Sequence, residues 1–208
     1  MSTLQTRRLS LRAVVATSGI MIVLSHAVGA VTWVASPRAS LRTFDLSTIQ
    51  SVSDNPDGYV IPMLGMLVGV GLMGFVALRL RQRAPQPALM LLLAVVLFVV
   101  NTVATYLLPD VWRIHAILAR LSFIMLIISQ IAFFRQYAMR LDRYVAWGTL
   151  VAAVVLFVMP FFVGIDLVMH VAGFDVSVIL GMSEVAYLGI MYTGMYRVIR
   201  AAEQETSR

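Results

Sequence analysis

HAILARLSFIMLIISQIAFF (115–134) is nearly all apolar, with one arginine, Arg120, five residues inside its start. A helix crossing the hydrocarbon core of a bilayer needs about 20 mostly apolar residues. Within hydrocarbon every backbone N–H and C=O must find a partner inside the protein, and a helix satisfies them within one segment. The stretch therefore reads as a transmembrane helix, and the composition extends that reading to the whole chain. Of the 208 residues, 60% are hydrophobic and 12% charged, with a mean hydropathy of +0.89. Soluble domains are about 45–50% apolar and about 25% charged.

Five further segments have the same character. The six expected spans are 13–35, 59–80, 88–108, 115–134, 144–165 and 176–199. The expected architecture is all-α, a single polytopic six-helix bundle over residues 1–208 with a long external loop at 36–58. The first span has a basic start, but its apolar run exceeds the usual 7–15 residues of a signal peptide, and it is read as an uncleaved anchor.

All 16 basic residues are arginine. Arg7, Arg8, Arg12, Arg79, Arg81, Arg83, Arg135, Arg140, Arg143, Arg197, Arg200 and Arg208 flank the spans on one side. The other side holds Arg38, Arg42 and Arg113 together with most of the aspartates. Cytoplasmic loops carry the excess of basic residues, so both termini are expected in the cytoplasm. The same clustering at span ends explains the net charge of +6 without nucleic acid. The expected location is a bacterial cytoplasmic membrane, with membrane lipids as partners.

The composition excludes several chemistries. With no cysteine there is no disulfide, thiolate metal site or cysteine nucleophile. Without lysine there is no Schiff base. His26, His115 and His170 are far apart in sequence, with no pair spaced to share a metal on one helix, and no metal or cofactor is expected.

Ionisable and strongly polar residues inside spans each need a partner or water, which makes them site candidates. They are His26, Asn101, Arg120 and Glu184, on four different spans. At a rise of about 1.5 Å per residue, they lie roughly 8–13 Å below the outer ends of their spans. His115 and Asp110 stand above them at the outer edge, while the inner half offers only Ser129 and Gln130. The set is a candidate ligand-binding layer for a lipid head group or small polar molecule. Each member also has a plain structural reading. Arg120 is shallow enough to snorkel to the interface, and Glu184, Asn101 and His26 can serve as hydrogen-bonding glue between helices.

GMLVGVGLMG (65–74) contains the small-xxx-small pair Gly65 and Gly69, which lets helices approach closely. Packing inside the bundle is the simpler use; a homo-oligomer contact is the alternative.

SVSDNPDGYVIPMLGMLVGVG (51–71), HAILARLSFIMLIISQ (115–130) and GMSEVAYLGIMYTGMYRVIR (181–200) resemble, in order, segments of the bacterial family 998 of domains of unknown function, within the wider Frag–DRAM–Sfk group of six-span membrane proteins. The resemblance implies roles for Ser53, Asp54, His115 and Glu184. It departs at Val185, where tryptophan or arginine is common, and at Ala119, where some members have a second histidine. Eukaryotic members of the group are linked to lipid remodelling, phosphoinositide-kinase regulation or autophagy. The expected function is non-enzymatic binding or organisation of lipid through the outer polar layer. The alternative is a lipid-modifying enzyme with His115 and Glu184 as acid–base groups. A small-solute transporter would need polar residues through the inner half.

Overall fold

The computed structural model describes residues 10–35, 49–50, 55–107, 112–137, 147 and 176–206. These residues form an all-α protein with helices α1 (Leu11–Ala35), α2 (Val60–Leu80), α3 (Pro85–Leu107), α4 (Trp112–Gln136) and α5 (Val176–Thr206). The first four are long and apolar enough to cross a membrane. The expected spans 13–35, 59–80, 88–108 and 115–134 fall on them within three residues at each end. The sixth expected span lies within α5; the fifth, 144–165, lies outside the described residues except for Trp147.

Local sequence explains the helix ends. Asn55–Gly58 forms a turn in which the Asn55 carbonyl accepts from Gly58 N at 3.2 Å and Tyr59 N at 3.0 Å. Pro62 then sits in the first turn of α2, where a missing N–H costs nothing. α2 ends in a tight turn, with Ala84 N donating to the Leu80 carbonyl at 2.8 Å. Pro85 opens α3 at the position where its fixed φ suits a helix start. α5 runs past its apolar part because Arg-Ala-Ala-Glu-Gln (200–204) consists of good helix formers.

The helices contact one another in chain order, α1–α2–α3–α4–α5, and α5 closes the ring against α1. The α1–α2 contact is close. A Cβ added at Gly65 would collide with the Ser25 side chain, and one at Gly69 with Ile22 and the Ser18 carbonyl. Both glycines are buried, so the Gly65–Gly69 pair is used for packing within the chain. Large aliphatic side chains on the outer faces remain exposed, Val23 at 63% and Val31 at 72%. In a bilayer that is the lipid-facing surface.

Three polar contacts gather the helix ends. Arg12 Nε pairs with Glu203 Oε2 at 2.8 Å. Arg83 Nη1 donates to the Ala202 carbonyl at 3.3 Å, and Gln136 Nε2 to the Arg83 carbonyl at 2.8 Å. The start of α1, the α2–α3 turn and the ends of α4 and α5 therefore share one end of the bundle, which also carries Arg79, Arg81, Arg135, Arg197 and Arg200. We call this the arginine end.

The packing distinguishes two glycines of α2. Gly65→Val should lower stability by about 1–3 kcal/mol through overpacking. Gly71→Ala, where an added Cβ meets nothing within 4 Å, should be neutral or slightly stabilising. Unfolding of the detergent-solubilised variants measures the difference, with Gly65→Val melting lower.

Candidate functional site

The centre of the ring is apolar and aromatic. Phe98 of α3 meets Phe123 of α4 edge-to-face at 5.2 Å, and Phe123 meets Tyr187 of α5 at 5.3 Å. Such geometry sets the positive ring edge against the negative face. One helical turn from this contact, on the side away from the arginine end, stand Asn101, Arg120 and Glu184. Each is three residues from its aromatic: Asn101 follows Phe98 on a helix leaving the arginine end, and Arg120 and Glu184 precede Phe123 and Tyr187 on helices approaching it. Residues three apart are neighbours on one helix face. Three adjacent helices thus place polar residues roughly 5 Å outward of one aromatic contact.

His26 reaches the same level on α1. Ser18 of α1 touches Tyr192 of α5 at 2.7 Å. His26 and Glu184 each lie eight residues outward of that contact, roughly 12 Å along their helices. His26 has 6% of its surface exposed, and its hydrogen bonds define its tautomer. Nδ1 lies 2.7 Å from the Ile22 carbonyl, which can only accept, so Nδ1 carries the proton. In the neutral ring Nε2 then accepts from Gln50 Nε2 at 2.8 Å. Asn55 Nδ2 donates to the carbonyls of both Gly29 and Ile49, at 3.1 and 2.9 Å. His26 and Asn55 thereby tie the 49–50 segment to the outer part of α1.

The candidates therefore divide. Asn101, Arg120 and Glu184 share a level on α3, α4 and α5, with Asn101 buried and Arg120 half-buried. His26 shares the level but is engaged by Ile22 and Gln50. His115, half-buried, lies at the outer end of α4. Asp54 and Ser53, together with His170, lie outside the described residues. Among the described residues no three His, Asp or Glu side chains gather as a metal site.

Two tyrosines complete the arrangement. The Tyr187 hydroxyl is buried with no hydrogen-bond partner among the described residues. Side chains on a helix lean toward its N-terminus, which for α5 is the side of Glu184. Tyr192 joins a chain of bonds in which Ser18 Oγ donates to the Gly69 carbonyl at 2.6 Å. With that proton committed, the Tyr192 hydroxyl donates to Ser18. Neither role is legible from sequence, where tyrosine in an apolar segment reads as bulk.

A cavity of about 800 Å³ runs along the seam between α1 and α5. Its walls include Ala16, Gly19, Val23 and Ala27 of α1 and Leu188, Tyr192 and Tyr196 of α5, and His26 borders it. Asn101, His115 and Arg120 do not line it.

Comparison with known proteins returns no matching family model, no similar curated protein and no similar solved structure.

The Ser18 chain makes an ordered prediction. Ser18→Ala removes the bonds to both Gly69 and Tyr192, leaving the half-buried Tyr192 hydroxyl without this partner, and should cost about 1–3 kcal/mol. Tyr192→Phe removes only its own donor and should cost about 1 kcal/mol or less. Thermal melts of the purified variants check the order; equal losses would contradict this bond chain.

Proposed function

We propose that this protein is a six-span integral membrane protein that binds a polar lipid head group, or a small polar ligand of similar chemistry, in its outer half. The observation that carries the reading is the common level of Asn101, Arg120 and Glu184 above the Phe98–Phe123–Tyr187 contact. Three such residues at one depth in hydrocarbon are costly unless they engage one another or a ligand. Arg120 would take an anionic oxygen, Glu184 a cationic or hydroxyl group, and Asn101 either. His26, His115 and Asp54 belong to the same outer region in this reading. The aromatic contact beneath would close the layer toward the membrane centre.

The six-span part has two supports. α4 and α5 both finish at the arginine end, and consecutive parallel helices need a connection that spans the height of the bundle. The arginine end is also the end that positive charge places in the cytoplasm, with both termini, in a bacterial cytoplasmic membrane.

The cysteine-free chain makes the topology directly testable. Asp57→Cys, in the exposed turn before α2, should react with a membrane-impermeant maleimide on intact cells. Gln82→Cys, in the exposed α2–α3 turn, should react only after permeabilisation. The reverse pattern would overturn the orientation.

Binding is read by native mass spectrometry of protein purified from its membrane. Wild type should retain one lipid class selectively. Arg120→Gln and Glu184→Gln should each reduce that selectivity about tenfold, the scale of one charge-assisted hydrogen bond. Retention of unselected bulk lipid by wild type and variants alike would refute the binding reading.

A further inference from the structure

The α1–α5 cavity meets the outer polar layer only at His26, which Ile22 and Gln50 already engage, and it does not depend on the reading given to that layer. Its α1 wall is a helical stripe, Ala16, Gly19, Val23, Ala27 and Ala30. The stripe spans 15 residues, a rise of roughly 21 Å, enough to cover the hydrocarbon depth of one leaflet, about 15 Å. Small side chains on this stripe leave the space that larger ones would fill. The cavity borders the lipid-facing surface through Ile20, Val23 and Leu24, exposed at 56–63%.

The stripe has an end of opposite character. One turn from Ala16 toward the arginine end, the same face of α1 carries Arg12. On α5 the wall positions Gly189, Thr193 and Tyr196 continue, at the next helical step, to Arg200. Both lining faces of the cavity therefore terminate in arginine. Arg200 is exposed and makes no ion pair among the described residues. Arg12 pairs through Nε with Glu203, itself one turn beyond Arg200. A guanidinium has five N–H donors, so that pair does not exhaust Arg12. Arg197, beside Tyr196, adds a third arginine to this end of the bundle, where α5 also carries Glu203 and Glu205.

We propose that the α1–α5 seam is a binding site for an anionic glycerophospholipid of the leaflet at the arginine end. One acyl chain lies along the Ala16–Ala30 stripe, and the phosphate is held by Arg12 and Arg200. Hydrocarbon is the medium that meets this surface, and an apolar wall with no charged group beyond its mouth suits an acyl chain. Arginine suits the phosphate because its planar fork of donors matches phosphate oxygens. Basic residues at the membrane surface attract anionic lipid, and a cleft between helices adds a fixed place for it. Tyr196, 41% exposed between cavity and arginines, occupies the interfacial position that tyrosine favours.

The test uses the full chain in detergent, titrated with phosphatidylglycerol and with phosphatidylcholine of identical acyl chains, and read by native mass spectrometry. Phosphatidylglycerol should bind at a stoichiometry of one, about tenfold or more tighter than phosphatidylcholine, since each surface arginine contributes about fivefold. Arg200→Gln, which breaks no ion pair among the described residues, should reduce that preference about fivefold. Adding Arg12→Gln should bring it close to one. Ala16→Trp, which fills the cavity from an exposed position, should weaken both lipids together. Melting temperatures near wild type show that the variants fold. Equal binding of the two lipids by wild type would overturn the proposal. So would phosphatidylglycerol binding unchanged by Ala16→Trp, which would mean adsorption to surface charge alone. Dimers in place of bound lipid, lost on Ala16→Trp, would also overturn it by making a second copy the occupant.

Discussion

The close approach of α1 and α2 at Gly65 and Gly69 is the contact on which most of the described structure depends. Between helices in hydrocarbon there is little hydrophobic driving force, because lipid tails are as apolar as leucine. Association then rests on van der Waals contact and on bonds that reach between backbones. With no Cβ at Gly69, Ser18 comes close enough to donate to the Gly69 carbonyl, and Tyr192 of α5 then donates to Ser18. One small-residue contact thereby fixes three helices. Further out, Gly29 lets Pro62 and Ile49 pack against α1, where Asn55 and His26 hold the 49–50 segment.

The bundle is polar at two depths for different reasons. At the arginine end, Arg12–Glu203, Arg83–Ala202 and Gln136–Arg83 join helix ends near water, where each contact is individually weak. Away from the arginine end, His26, Asn101, Arg120 and Glu184 share a level among apolar helices, so their mutual placement matters more than their number. The Phe98–Phe123–Tyr187 contact separates the two regions. The ring near this contact also leaves a space of about 20 Å³ with apolar walls. An apolar void of that size stays dry, because a buried water needs two to four polar partners.

The sequence located four helices long and apolar enough to cross a membrane to within three residues, because a long apolar run has one good solution in hydrocarbon. It also singled out the shared depth of the outer polar residues, since helical rise converts position into depth. It missed only the C-terminal end of α5, where helix propensity and the Arg12–Glu203 pair extend a helix beyond its apolar segment. His26 illustrates a different limit. A histidine inside a span signals polarity, but only the fold showed that Ile22 and Gln50 engage both ring nitrogens. Tyr187 and Tyr192 gave no signal, because a hydroxyl at the tip of an apolar ring becomes conspicuous only when its surroundings are known.

By itself, then, the sequence determined that the protein is helical, which segments are long and apolar enough to cross a membrane, and which end bears the positive charge. Those properties follow from composition and order, since the bilayer acts on each segment separately. Tertiary structure decided which helices touch, that Gly65 and Gly69 face α1, that Asn101, Arg120 and Glu184 rise from one aromatic contact, and that a cavity runs along the seam between α1 and α5. Those properties depend on helix rotation and on pairing between residues as far apart as Ser18 and Tyr192. No local pattern encodes them, because each helix is apolar nearly all round and has no single face that announces its neighbour.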